Sequence, residues 1–291
     1  MQNPNVSNFF FRNLKSWCVA NKQFTQLIFQ DDKAKVPVGE PASPEAATSH
    51  NRPALTTKNI TLESSDHNYH CGNLTPSVNL LCDIPDSPSE SFYAGQIYVG
   101  LKDSVFQGSD PIRHVIELIG NLREEYKNAP IPPYLVLFSD GGADHNITFL
   151  YVQCALLALF KVLNLDILDV GRCAPNQSYI NPAERCMSLL NLGLQGLATE
   201  RDYVGDFEKI IKSCSSMKSL REKANQQQGL KEIYLESLNA PINVIESAFS
   251  LLELKEKQIK LFKPNRNTTE VINAIQKVKK NFLDLKIKTL L

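Results

Sequence analysis

An apolar run that stops abruptly at an acidic residue constrains the fold of this chain more than any other feature. Residues 134–139 read Tyr-Leu-Val-Leu-Phe-Ser, and Asp140, two glycines and a polar turn that ends at His145 follow. An apolar run of this length, closed by turn residues, predicts a buried strand. Asp140 then lies at the carboxyl end of that strand, where α/β sheets bind their ligands. The glycines allow the backbone to turn sharply beside the carboxylate, so that a metal ion or a phosphate can approach it.

The segments on either side of this strand predict a mixed α/β fold. Three short segments predict strands that can pair antiparallel, at 26–30, 77–84, which alternates, and 96–101. The elements that follow alternate between helix and strand, with a helix at 110–126, the strand at 134–139, a helix at 147–163, a strand at 166–170 and a helix at 182–197. This order predicts a mixed five-stranded sheet, antiparallel in its first three strands and then βαβα, flanked by helices.

Composition divides the chain into three parts. We predict an N-terminal helical segment at 1–25, a sheet-containing core at 26–204 and an all-helical C-terminal region at 205–291. Residues 33–76 are rich in Pro, Ser, Thr and Asn, which predicts a loop-rich insertion with one short strand near 60–62. The C-terminal region has 16 Lys and Arg against 10 Asp and Glu, although the whole chain has 31 of each. This basic excess is compatible with a phosphate-binding surface and equally with an ordinary solvated helical face.

Cysteine usage and missing motifs exclude several classes of protein. The seven cysteines occur singly and no signal peptide is visible, which predicts reduced thiols inside a cell. No run of ~18 apolar residues predicts a membrane span, and no Gly-x-x-x-x-Gly-Lys loop predicts a nucleotide cofactor. His50, His67, His70 and Cys71 lack the paired spacing of a zinc site, and we interpret them as solvated loop residues.

Acidic residues at the ends of separate elements predict a divalent-metal site. Asp31 and Asp32 close the first predicted strand, and Asp140 closes the fourth. Glu184 enters the helix that begins at Asn181-Pro182. Carboxylates that meet at one point repel each other unless cations neutralise them, and Mg²⁺ takes oxygen ligands. Two such ions can support an in-line displacement at phosphorus. Either Asp31 or Asp32 can supply the first carboxylate, because either can end the strand facing the site.

These motifs together resemble the DDE transposase and integrase catalytic core, with the closest likeness to the mariner-type transposases. A strand that ends in Asp, the segment from Asp140 to His145 and the string Asn-Pro-Ala-Glu-Arg at 181–185 follow in the order of that family. The resemblance covers about residues 26–197. It implies an RNase H-like fold, in which 26–204 is the DDE catalytic core.

The same resemblance implies a function. Asp31, Asp140 and Glu184 are then the catalytic, metal-binding triad, with Asp32 as the alternative to Asp31. The cofactors are two Mg²⁺ or Mn²⁺ ions, and the partner is DNA, whose strands the enzyme cleaves and joins. Three residues support the site or contact nucleic acid in this interpretation, namely His145, Asn181 and Arg185. The resemblance also implies a homodimer or a higher assembly and a nuclear or otherwise intracellular location.

A second interpretation remains open. No DNA-binding module is visible ahead of the first catalytic strand, and the C-terminal region is basic. A truncated or domesticated transposase core that no longer catalyses, and that acts as a nucleic-acid-binding or protein-interaction module, is compatible with both features.

Overall fold

The computed structural model describes residues 4–47, 72–174, 177–265 and 268–289. The short strand predicted near 60–62 and the four loop residues His50, His67, His70 and Cys71 lie outside these ranges.

Helices and strands alternate through most of the described chain. The helices are α1 (Pro4–Ala20), α2 (Pro111–Glu125), α3 (Leu150–Val162), α4 (Pro182–Leu194), α5 (Phe207–Lys212), α6 (Met217–Gln226), α7 (Leu230–Ser237), α8 (Asn239–Phe249) and α9 (Thr269–Thr289). The strands are β1 (Thr25–Asp32), β2 (Val36–Val38), β3 (Glu45–Ala46), β4 (Gly72–Cys82), β5 (Gly95–Asp103), β6 (Tyr134–Ser139), β7 (Ile167–Arg172), β8 (Ala198–Thr199), β9 (Glu253–Leu254), β10 (Lys257–Gln258) and β11 (Lys260–Phe262). Single 3-10 turns lie at Lys22–Phe24 and Ser178–Ile180. None of the helices in these ranges is long and apolar enough to cross a membrane.

The main sheet has the strand order β11-β5-β4-β1-β6-β7, with β2 paired to β4. The pairs β1–β4 and β4–β5 are antiparallel, whereas β1–β6 and β6–β7 are parallel. Three antiparallel strands followed by two parallel ones, with helices packed against the sheet, are the arrangement of the RNase H-like fold. The predicted mixed α/β fold is therefore confirmed.

The C-terminal region differs from its prediction as an all-helical appendage. It contains β9, β10 and β11, and β11 pairs parallel with β5 and so extends the main sheet beyond five strands. A three-residue strand has too few residues to show an alternating pattern, so β11 was not predictable from periodicity. Helices after residue 204 also contribute to the core, since Leu220, Tyr234 and Phe249 share one buried cluster with Leu27 and Phe29 of β1.

The sheet has a distinct core on each face, and β1 contributes to both. Leu27 and Phe29 belong to the cluster that contains the apolar side of α4, whereas Ile28 belongs to the cluster of α2 and α3. Side chains alternate along a strand, so Asp31 continues the α4 face and Asp32 continues the α2 face. The two neighbouring aspartates at the end of β1 are thus directed to opposite sides of the sheet.

Candidate functional site

Two parallel strands bring the first two carboxylates to one edge of the sheet. β1 and β6 are in register with Gln30 opposite Ser139. Asp31, the next residue of β1, and Asp140, the first residue after β6, therefore lie side by side at this edge. Asp140 is held in a turn, because its Oδ1 accepts a hydrogen bond of 2.9 Å from the backbone N–H of Gly142. Gly141 in that turn has φ +84°, which favours glycine.

Asn181 attaches the helix that carries the third carboxylate. Its side-chain amide donates a hydrogen bond of 3.0 Å to the backbone oxygen of Gln30 in β1, and its Oδ1 accepts one of 3.2 Å from the N–H of Ala183. Asn181 is completely buried, so neither bond competes with water. Since Asn181 is the N-cap of α4, it fixes the first turn of that helix, which contains Glu184, against the end of β1.

The electrostatics of Asp31 reflect this convergence. Burial, followed by the negative charges of Asp140 and Glu184, raises the pKa of Asp31 to about 8. The same three carboxylates act on a neighbouring thiol, since burial and their charges raise the pKa of Cys173 to about 12. The three predicted residues thus lie close enough to repel one another. An all-carboxylate donor set of this kind fits Mg²⁺ or Mn²⁺, which prefer oxygen ligands and would relieve the repulsion.

Asp32, the alternative first carboxylate, lies elsewhere. Its carboxylate is 3.5 Å from the ammonium of Lys102 and 3.9 Å from Nε2 of His114, and it accepts a hydrogen bond from Ser109. Burial alone would raise the pKa of Asp32, but Lys102, His114 and hydrogen bonds, including that from Ser109, hold it below its usual value. Asp32 therefore already has counter-charges on the α2 face, and the geometry favours Asp31 as the partner of Asp140 and Glu184.

His145 lies on the Asp32 side of the site. Its ring packs against that of His114 with 4.4 Å between centroids, and His114 in turn lies 2.8 Å from Asp144 through its Nε2 atom. Burial, followed by the charge of His114, lowers the pKa of His145 to about 4. His114, Asp144 and Lys102 were not predicted as site residues. His114 and Lys102 carried no signal, because each is a polar residue inside an apolar pattern, but Asp144 stands directly before His145 and was a visible candidate.

Two arginines border the site in different ways. Arg185, predicted to contact nucleic acid, is exposed on α4, and its guanidinium lies 5.7 Å from the ring centre of Tyr93. Arg172, which the sequence analysis missed, ends β7 and donates a hydrogen bond of 2.9 Å to Asn146. Its side chain also packs against the turn after Asp140, where a Cβ on Gly141 would lie 3.1 Å from it. The position of Arg172 at the end of β7, the strand paired with β6, was the feature of the sequence that could have indicated it as a site residue.

Comparisons with known proteins give matches among solved structures. The chain is similar to one in the Mos1 strand transfer complex, with TM-score 0.38, 11% identity and coverage of 85% of this chain and 63% of that chain. It is also similar to a chain in the pre-cleavage Mos1 transpososome, with TM-score 0.40, 12% identity and coverage of 85% of this chain and 63% of that chain. The match to the Mos1 mariner paired end complex with Mn has TM-score 0.33 and 13% identity, and covers 84% of this chain and 62% of that chain. The chain thus spans less than two thirds of the chains that it matches.

No protein-family model and no curated protein matches the chain. The assignment of the RNase H-like fold rests on the strand order and pairing described above.

Proposed function

We propose that this chain is a DDE-type polynucleotidyl transferase core that cleaves and joins DNA strands with Asp31, Asp140 and Glu184 as metal ligands. One observation carries the proposal: Asp31 of β1 is buried and lies close enough to Asp140 after β6 and Glu184 of α4 that burial, followed by their two negative charges, raises its pKa to about 8. The sequence motifs around them resemble those of transposases. DNA is the substrate class that this resemblance implies.

The residues of the chain have separable roles in this mechanism. Asp31, Asp140 and Glu184 would hold two Mg²⁺ or Mn²⁺ ions. Such ions would supply polarisation of the phosphate and activation of the attacking oxygen. Asn181 positions Glu184 by linking α4 to β1. Ionisation of Asp31, which burial and its acidic neighbours oppose, accompanies metal binding, because a carboxylate must be deprotonated to act as a ligand.

A cationic cavity on the same side of the molecule supports DNA as the partner. It has a volume of about 360 Å³ and is lined by Arg113, Arg221 and Lys231, together with Asp110. It follows the end of β5, which reaches the same sheet edge as the end of β1 because both strands pair antiparallel with β4. Both arginines already donate to backbone oxygens, Arg113 to Gly108 and Arg221 to Val105 and Ser104. Their remaining N–H groups and Lys231 can bind backbone phosphates of a strand that crosses the carboxylates. Arg185 is a further candidate for such a contact.

We also propose assembly as a homodimer or larger, and location in the nucleus or another compartment that contains DNA.

Mn²⁺ binding measured by titration calorimetry tests the metal site. We expect saturable binding to the wild type and its loss in Asp140→Asn, with folding nearly intact, and loss of strand cleavage in the same variant. Asp86→Asn is the matched control, because Asp86 is an exposed carboxylate paired with Lys22. Wild-type cleavage by Asp140→Asn would refute the proposal.

The second candidate function is nucleic-acid binding without catalysis, since the cationic cavity contains none of the three carboxylates. It predicts DNA affinity that falls steeply with salt but is unchanged by chelator or by Asp140→Asn. Affinity indifferent to salt would count against it.

A further inference from the structure

A second group of potential metal ligands lies on the α2 face of the sheet, opposite the carboxylate triad. Nitrogen and oxygen ligand atoms of His114, Asp144 and His145 all lie within 4.8 Å of one another. They come from different parts of the chain, since His114 is in the second turn of α2 and the other two follow the turn of Asp140. A cavity of about 30 Å³, enough for a bound water, is lined by all three.

One candidate ligand atom of the group, and one carboxylate oxygen of a residue beside it, have no hydrogen-bond partner in the described part of the surrounding protein. Nε2 of His145 is buried and has no hydrogen-bond partner within the described ranges. Oδ1 of Asp32 is likewise buried without a hydrogen bond there, although Lys102 is 3.5 Å away. Buried polar atoms without partners are costly. The other oxygen of Asp32, Oδ2, accepts a hydrogen bond from Ser109 and is 3.9 Å from His114 Nε2, so Asp32 is a fourth potential ligand beside the group.

The charges of this network also leave room for a cation. Asp32, Glu117 and Asp144 are three largely buried carboxylates, and the cation within ion-pair distance of the first two is the fully buried Lys102. His114 is also within ion-pair distance of Asp32 and Asp144, and its protonated form would leave one excess negative charge. Metal coordination requires neutral imidazoles, and with both histidines neutral Asp32, Glu117, Asp144 and Lys102 carry two excess negative charges. A divalent ion would neutralise them.

We propose that His114, Asp144 and His145 form a transition-metal site of the zinc class, with Asp32 or a water molecule as the fourth ligand. Two imidazoles and a carboxylate are a donor set that suits Zn²⁺ and related ions, whereas the all-carboxylate triad suits Mg²⁺ or Mn²⁺. The two sites therefore select different ions. This inference does not depend on the proposed catalytic function.

The metal-free hydrogen bonds can rearrange to accept the ion. The ammonium of Lys102 is 3.4 Å from Nδ1 of His114, and Nε2 of the same ring contacts Asp144. Coordination through Nε2 moves the ring proton to Nδ1, so Lys102 must turn away. Glu117 is available to it, because its carboxylate is 3.4 Å from Lys102 and has no hydrogen-bond partner among the described residues. Metal binding would then tie α2 to the segment after Asp140.

Titration of the full chain with Co²⁺, followed by its visible absorption, tests the site. We expect saturable binding of one tetrahedral Co²⁺, which Zn²⁺ displaces. His145→Gln should weaken the affinity by at least about tenfold, because even the loss of a residue that only orients a ligand costs about that much. Asp140→Asn should leave Co²⁺ affinity unchanged while it removes Mn²⁺ binding, and His145→Gln should leave Mn²⁺ binding unchanged. This double dissociation separates a failure of this site from a failure of the proposed function.

Asp144→Asn gives a second variant on the same loop, and circular dichroism confirms that each variant is folded. Absence of a Co²⁺ signal from the folded wild type would overturn the proposal. Wild-type Co²⁺ affinity in both His145→Gln and Asp144→Asn would also overturn it, because the ion would then lie elsewhere.

Discussion

Replacing Asp31 by Asn should stabilise the metal-free protein, although it removes a predicted catalytic residue. The pKa of Asp31 rises from its ordinary 3.8 to about 8 in the folded protein, because of burial and then the charges of Asp140 and Glu184. Because the folded protein holds the Asp31 proton more tightly than the unfolded chain does, Asp31 favours folding fully below its unfolded-state pKa. The free energy of unfolding then falls as pH rises from the unfolded-state pKa to the folded-state pKa, where that contribution is lost. Each pH unit in this window is worth about 1.4 kcal/mol, so ionisable Asp31 costs roughly 4 kcal/mol at pH 7.

Asn removes this cost without removing the local hydrogen bond. Oδ1 of Asp31 accepts a bond of 2.9 Å from the N–H of Asp32, and the Oδ1 of an asparagine can accept the same bond. In the presence of a chelator, we therefore expect Asp31→Asn to exceed the wild type in free energy of unfolding by about 4 kcal/mol at pH 7. The difference should shrink toward zero near pH 4. Addition of Mn²⁺ should stabilise the wild type and leave the variant unchanged.

Urea unfolding at several pH values between 4 and 8 measures the difference directly. Taking the difference between variant and wild type cancels other titrating groups, such as Asp103, whose pKa burial raises to about 6. Asp86→Asn is the control: Lys22 lowers the pKa of this exposed carboxylate, so any pH-dependent difference there should be opposite in sign to that of Asp31→Asn. The reasoning fails if Asp31→Asn is no more stable than the wild type at pH 7 in chelator, or if the gain is independent of pH.

Two further stability changes follow from buried polar contacts. Asn181→Ala removes the cap of α4 and its bond to Gln30, and should lower the free energy of unfolding in urea by about 1–3 kcal/mol; a loss below about 0.5 kcal/mol would show that the link is weak. Arg201→Gln leaves the carboxylates of Glu40 and Glu208 without their fully buried guanidinium partner, and should cost about 3–5 kcal/mol by the same assay. Restoring most of that loss by a second change, Glu208→Gln, would support the charge explanation, and a purely additive double variant would contradict it.

Local sequence signals predicted the parts of the site that depend on single elements. Asp110-Pro111 does begin α2, because the Asp110 carboxylate accepts hydrogen bonds from the first turn. Asn181 does cap α4, and the apolar run before Asp140 is the buried strand β6. In each case the capping residue or the apolar run is itself the physical cause of the element, so that the sequence contains the information.

Features that depend on distant packing were not predictable in this way. The choice between Asp31 and Asp32 required knowing which face of β1 is covered by α4, and one position along a strand reverses the answer. Lys102 and His114 are buried only because other segments supply their partners. No local pattern distinguishes such residues from polar residues on a solvated surface.

The pairing of β11 with β5 has a consequence for how the chain matures. Lys260 lies opposite Tyr98, so this edge of the sheet is completed by a segment that leaves the ribosome 162 positions later. Until then the backbone groups of β5 on that side have no strand beside them, and unpaired strand edges are sites where chains associate wrongly. β11 thus covers the edge of a strand that is synthesised much earlier. Translation that stops before residue 260 would release a chain in which this edge of β5 is unpaired and can pair with another chain.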